Sequence, residues 1–256
     1  VGRRFGQHFL ASQSALARIA SALGDTRQQC LVEIGPGRGA LTSHLFTRAE
    51  KVIAIEVDPV LAQYLRGKFR DEPKLEVVEN DILKVDLRAF GPISVVGNLP
   101  YYITSPIVEK VLSLGALLQR AVFLVQKEVA ERLTAAPGSR DYGYLSVQTQ
   151  LLAHAELLFA VPSTAFKPPP KVESAVVRLT PREVTGVDDV AGFLKFAGLC
   201  FRHKRKTLRN NLLGAYRKEL LDGLPEGGLR AEQVPIPGLV EIYSRLVHSE
   251  APITSA

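Results

Sequence analysis

The sequence predicts an α/β fold: a mostly parallel, Rossmann-like sheet with antiparallel edge strands, followed by a small C-terminal helical domain. Three observations carry this. Aliphatic and β-branched runs alternate with helix-length segments, the pattern of a parallel sheet with right-handed crossovers. A glycine-rich turn, Glu33-Ile34-Gly35-Pro36-Gly37-Arg38-Gly39, follows the first of these runs. Near Pro181 the alternation stops, and from Val190 onward the chain reads as helical, broken at Pro225, Pro235 and Pro237. The expected division is therefore 1–183 and 184–256.

Taken in order, Ser12 caps a helix through Leu23, with Leu16, Ile19, Ala20 and Leu23 on one face. Cys30–Ile34 is the first strand, and Ala40–Ala49 reads as a helix. Lys51–Glu56 is a strand, Pro59–Phe69 a helix and Leu75–Val78 a strand. Ile93–Gly97 is the fourth strand and Ser105–Leu114 a helix, with Pro106 near its first turn, where proline is tolerated. Ala121–Val125 is the fifth strand and Lys127–Thr134 a helix. Ala136–Gly143 is a loop, Leu145–Ala153 a helix, and Leu157–Val161 and Val172–Leu179 are late strands. The connector Phe166-Lys167-Pro168-Pro169-Pro170-Lys171 reads as polyproline-like. The late strands lack an intervening long helix, which suggests an antiparallel addition at one edge.

Composition narrows the function classes. Hydrophobic residues make up 46% and charged residues 23% of 256, enough to bury a core. No apolar run approaches the ~18 residues of a membrane span. Two distant cysteines, Cys30 and Cys200, form neither a metal knuckle nor a disulfide framework, so a reduced, cytoplasmic setting and no metal are expected. The chain contains no methionine, so Val1 is not expected to be the translational start. The net charge of +6 favours an anionic partner. Its placement is more telling: Arg202, Lys204, Arg205, Lys206 and Arg209 put five cations into eight residues with no opposing charge, a pattern suited to phosphates.

The motifs share one chemistry. Glycines after a buried strand let a ligand approach the backbone, although G-x-G-x-G is not the dinucleotide fingerprint. Glu56 ends the second strand, where a carboxylate can take both hydroxyls of a ribose. Asp81 ends the third, where it either accepts from an exocyclic amine or caps a turn. Val95 to Thr104 runs from a β-branched strand through Gly97 into Asn98-Leu99-Pro100-Tyr101. An amide that hydrogen-bonds and an aromatic that stacks suit a nucleobase. The same residues also make an ordinary turn.

In this order the glycine turn, the two strand-end acids and the Asn-Leu-Pro-Tyr tetrad resemble class I S-adenosylmethionine-dependent methyltransferases of the amino-methylating branch. Four segments (4–10, 98–107, 166–176 and 205–210) resemble the bacterial small-subunit ribosomal RNA adenine dimethyltransferase family. The resemblance covers essentially the whole chain. It implies dimethylation of the N6 amines of two adjacent adenines in a small-subunit RNA hairpin. The donor it implies is S-adenosylmethionine, which leaves as S-adenosylhomocysteine. It assigns donor binding and catalysis to 1–183 and RNA binding to 184–256. It also implies a monomer acting within a pre-subunit particle, away from membranes. It places His8, Leu10, Gly35, Glu56, Asp81 and Asn98 at the donor, with Gly37 shaping the turn and Ile82 and Val57 on the two faces of its adenine. At position 8 the family usually carries Asn. The Asn98 side-chain oxygen and the Leu99 carbonyl would accept from the target amine, Pro100 would fix the loop, and Tyr101 would stack on the extruded base. Phe166 is either a second wall of the base pocket or a core residue. Arg3, Arg4, Lys167 and Lys171 would extend the basic surface. One alternative reading is a non-catalytic RNA-binding assembly or transcription factor on this fold. Another is a large-subunit RNA methyltransferase, a branch that lacks the Phe-x-Pro-Pro-Pro-Lys-Val run. A third is a nicotinamide-dependent dehydrogenase, which the glycine pattern disfavours.

Overall fold

The structure is a computed structural model, and residues 8–250 are described; Arg3 and Arg4 lie outside them. The described residues fall into two compact units. One runs to Glu131 and adds Leu152–Arg182; the other is Arg132–Leu151 with the chain from Glu183 on.

The first unit holds all the strands. In chain order they are β1 (Phe9–Leu10), β2 (Gln28–Ile34), β3 (Ala49–Glu56), β4 (Leu75–Glu79), β5 (Ile93–Asn98), β6 (Leu118–Gln126), β7 (Ala153–Val161), β8 (Phe166–Lys167) and β9 (Ser174–Pro181). Seven of them form the main sheet, in the order β4-β3-β2-β5-β6-β9-β7. All neighbours pair in parallel except that β9 runs antiparallel to both β6 and β7. The expected antiparallel edge is thus one reversed strand placed next to last, with β7 resuming the common direction. The central strands are buried along their lengths, which is why they read as continuous aliphatic runs without alternation. Leu31, Val52, Val96, Val122, Leu124 and Val176 share a core with Leu16 and Ile19 of helix α1 (Gln13–Ser21). Ser12 caps α1 by accepting from Ala15 N at 3.4 Å.

From β2 the chain winds outward through β3 and β4, then returns to β5 on the other side of β2. This reversal opens a crevice at the carboxyl ends of β2 and β5, the ligand position of open α/β sheets. Gly97 permits the approach: a Cβ there would sit 2.6 Å from the Ile34 carbonyl oxygen.

Three elements depart from expectation. The helix read over Ala40–Ala49 shrinks to α2 (Thr42–Leu45), and Ala49 already belongs to β3. The Ser43 and Thr47 hydroxyls donate to the Ala40 and His44 carbonyls and compete with helical pairing. Helices α3 (Pro59–Lys68), α4 (Thr104–Leu112) and α5 (Lys127–Thr134) follow the expected segments, and Asp58 caps α3 through Val60 N at 2.9 Å. The late strand β7 begins four residues before Leu157, directly after helix α6 (Tyr144–Leu152). Part of the polyproline-like connector is itself a strand, because β8 pairs antiparallel with β1.

The second unit contains α7 (Val190–Cys200), α8 (Leu208–Leu212), α9 (Lys218–Asp222) and α10 (Ile236–Glu250), with no strand beyond Pro181 among the described residues. It also takes residues 132–151, which the expected division left with the sheet. Gly138 N donates to the Glu232 carbonyl at 2.7 Å, and the Tyr142 ring packs edge-on against Phe201. These contacts are distant in sequence, so local pattern does not reveal them. Among the described residues no helix is long and apolar enough to cross a membrane.

Candidate active site

The crevice is a cavity of about 300 Å³, a size suited to small-molecule ligands. It gathers His8, Leu10, Gly35, Gly37, Glu56, Val57, Asp81, Ile82, Asn98, Leu99, Pro100 and Tyr101, drawn from the arm, the ends of β2, β3 and β5, and the loop after β4. Phe166 is not among its lining residues. That ring is 2% exposed and packs in the core with Leu10 and Leu16.

The first wall is the glycine turn. Gly35 and Gly37 adopt φ of +65° and +60°, a region that side chains with a Cβ rarely enter. The turn is tied to β3 through Glu56. Oε2 of Glu56 accepts from Gly37 N at 3.0 Å and Oε1 accepts from Asp58 N at 3.0 Å. The carboxylate is 2% exposed; burial raises its pKa while the backbone donors oppose that shift. Each oxygen keeps a further lone pair for a ligand donor.

Glu33, which the sequence marks only as the acid preceding the turn, also lines the cavity at 1% exposure. Burial pushes its carboxyl up to about 8; the hydrogen bond from Thr42 Oγ1 at 2.6 Å pulls it down, and nearby Glu56 adds to the rise. The folded protein therefore binds more protons than the unfolded chain between the ordinary glutamate value and about 8. Stability contributed by Glu33 is present at low pH and lost as pH rises through that window. Urea unfolding of the parent and Glu33→Gln at pH 5 and pH 8 should show the parent losing more stability across that interval. Equal losses would contradict a protonated Glu33.

Asp81 is seen in the turn-cap role of its two readings. Its Oδ1 accepts from Leu83 N at 2.9 Å as a turn cap, while no described residue donates to Oδ2. Beside it Ile82 is buried and Val57 is exposed, offering two apolar surfaces.

The fourth strand of the expected series, β5, ends in the tetrad. Leu99 N donates to the Leu124 carbonyl at 3.0 Å, and the Pro100 carbonyl accepts from Ile103 N and Thr104 Oγ1. Asn98 Nδ2 donates to the His8 carbonyl at 3.0 Å. Among the described residues no donor reaches Asn98 Oδ1 or the Leu99 carbonyl, and both residues line the cavity. Tyr101 shares a hydrogen bond with buried Ser174 at 3.0 Å, which fixes its ring, whereas Tyr102 is exposed. His8 meets the tetrad through its backbone oxygen; its Nδ1–H donates to the Pro168 carbonyl at 2.9 Å and its ring stacks near Tyr101, 6.1 Å between centroids. Asn in place of His8 would keep the backbone contact.

Phe9, Leu16, Ile19 and Leu41 also line the cavity. Leu16 and Ile19 carry only a core signal in the sequence, because the helix face that packs the sheet also closes the cavity. Among the described residues no group of His, Cys, Asp and Glu could hold a metal ion.

Arg202, Lys204, Arg205, Lys206 and Arg209 belong to the second unit. The first four are exposed. Arg209 is turned to Asp222, Nε to Oδ1 at 2.6 Å, so its charge is met within the unit.

A family profile described as ribosomal RNA adenine dimethylase matches residues 2–233. The chain is 44% identical to the "Ribosomal RNA small subunit methyltransferase A" of Acidobacterium capsulatum, over 95% of this chain and 90% of that one. It is 42% identical to the protein of the same name from Koribacter versatilis, over 95% and 93%. Among solved structures it is similar to a dimethyladenosine transferase from Plasmodium falciparum, with a TM-score of 0.81 and 27% identity over 92% of this chain and 96% of that one. It is also similar to the 23S rRNA methyltransferase ErmE, with a TM-score of 0.73 and 33% identity over 93% and 99%.

Proposed function

The chain belongs to the ribosomal RNA adenine dimethylase family, and from that premise we propose that it dimethylates the N6 amines of two adjacent adenines in a small-subunit ribosomal RNA hairpin, using S-adenosylmethionine, as a step in small-subunit biogenesis. It acts as a cytoplasmic monomer on RNA within a pre-subunit particle. The observation that carries this reading is the convergence of Glu56, Asp81 and the Asn98–Tyr101 tetrad in one cavity.

The residues fit the donor. Glu56 is held rigidly by two backbone N–H groups and keeps lone pairs for two ribose hydroxyls. Asp81 Oδ2 is open to an exocyclic amine, Ile82 and Val57 offer apolar faces to a ring, and Gly35 and Gly37 let the backbone come close. His8 and Leu10 close the arm side. When bound, S-adenosylmethionine supplies an activated methyl on a cationic sulfur.

The chain's own residues prepare the acceptor. The lone pair of the adenine amine is delocalised into the ring. Asn98 Oδ1 and the Leu99 carbonyl accept from its two N–H bonds, favour a pyramidal nitrogen and localise that pair. Pro100 stiffens the loop and Tyr101 supports the base by stacking. The work is positioning and electrostatics. No strong base is needed, because the proton leaves after the nitrogen has become cationic. A base in a duplex cannot reach these groups, so the target is extruded or already unpaired. Exposed Arg202, Lys204, Arg205 and Lys206 meet phosphates.

A radiolabelled methyl-transfer assay on unmethylated small ribosomal subunits tests this. Nuclease digestion should yield N6,N6-dimethyladenosine, at about two nucleosides per subunit. Small subunits left unlabelled, with label entering large subunits in a parallel reaction, would refute the proposal.

A further inference from the structure

The basic run of the second unit is organised around one buried amide. Asn211, in α8, is 5% exposed. Its Nδ2 donates to the carbonyls of Cys200 at 2.8 Å, His203 at 3.1 Å and Lys206 at 3.4 Å, and its Oδ1 accepts from His203 N at 3.0 Å. Cys200 ends α7, so its carbonyl is one that a helix leaves without an internal partner. A single side chain thus ties the start, middle and end of the segment that follows α7. That segment exposes Arg202, His203, Lys204, Arg205 and Lys206. Its own backbone adds Lys206 N to the His203 carbonyl at 3.0 Å. Like charges this close repel one another, so a compact turn here needs an internal anchor. A second segment of the same unit joins the surface. Lys204 Nζ donates to the Arg140 carbonyl at 2.6 Å, bringing exposed Arg140 alongside the run, with Asp141 the acidic exception.

We propose that Asn211 is the positioning residue of the RNA-binding surface: it holds residues 201–206 in the conformation in which Arg202, Lys204, Arg205 and Lys206, with Arg140, face neighbouring phosphates of the RNA backbone. The proposal rests on the basic run being the phosphate-contacting surface. Asn211 touches no RNA itself. It removes in advance the ordering that binding would otherwise demand of a self-repelling segment.

The test compares the full chain with Asn211→Asp, with Asn211→Ser and with a triple variant carrying Lys204→Ala, Arg205→Ala and Lys206→Ala. Asn211→Asp keeps the shape and the acceptor for His203 N but turns a carboxylate oxygen toward three carbonyls. Two readouts are taken: methyl transfer to unmethylated small ribosomal subunits across a salt series, and trypsin cleavage of the native protein without RNA. Asn211→Asp should raise KM for subunits about tenfold, leave kcat and S-adenosylmethionine affinity unchanged, and flatten the salt dependence by about two phosphate contacts. Trypsin should cut within 202–206 about tenfold faster while the rest of the chain stays resistant. Asn211→Ser should show the same pattern and stands in if the Asp variant does not fold. Parent-like KM and cleavage in both Asn211 variants, with a weakened triple variant, would overturn the role of Asn211. A triple variant with parent-like KM would overturn the basic run as the RNA surface, and the proposal with it. Faster cleavage throughout the chain together with lost cofactor affinity would reduce Asn211 to a general structural residue and also overturn it.

Discussion

Asn98→Ala is expected to lower kcat for methyl transfer to unmethylated small subunits by roughly 10²–10³-fold, the range seen when one preorganised polar group is removed from a reacting centre. The side chain has two jobs that pull in one direction. Its Nδ2 holds the His8 carbonyl, which fixes the amide plane. Its Oδ1 is left without a donor among the described residues. On the proposed mechanism, alanine removes one of the two acceptors that localise the nitrogen lone pair and releases the arm. Cofactor affinity should fall much less than kcat, because Glu56 and Asp81 remain. Single-turnover transfer of a radiolabelled methyl group, with cofactor binding measured by calorimetry, separates the two effects. Transfer at the parent rate would refute the assignment of Asn98.

Glu56→Gln should weaken S-adenosylmethionine binding by about 10²-fold, since hydrogen bonds to a charged group contribute roughly 1.5–3 kcal/mol each. The change is isosteric, so the effect comes from chemistry. Gly37 N and Asp58 N each donate to one carboxylate oxygen, so the amide nitrogen of glutamine must face a donor. That mismatch should also lower folding stability by about 1–3 kcal/mol, the penalty for an unmet buried polar group. Calorimetric titration and urea unfolding measure the two losses. Parent-like cofactor affinity would remove Glu56 from the binding role.

The central sheet is legible in the sequence because its strands are buried on both faces and read as aliphatic runs, and because Gly35, Glu56, Asp81 and Asn98 mark strand ends. What is not legible has separate causes. Ala40–Ala49 looks helical by composition, but the Ser43 and Thr47 hydroxyls take two of its carbonyls. β1 and β8 are two-residue strands far apart in sequence, too short to leave a periodic signal. Phe166 has the same local sequence whether it faces a pocket or the core, and its packing with Leu10 depends on the fold. Arg209 sits in a basic run, and its partner Asp222 lies one helix further on. Glu33 is visible beside the turn, but its burial and its bond to Thr42 depend on the fold.

Among the described residues, every one that lines the cavity falls between His8 and Ile103. On the proposed function, the groups that handle donor and target base are therefore written in one stretch of chain, while the basic run begins only at Arg202. Descent can treat the two as separate inheritances. On that reading, substitutions downstream would redirect the protein to another RNA without revising the cavity, and drift within the first stretch would be felt by every such descendant alike.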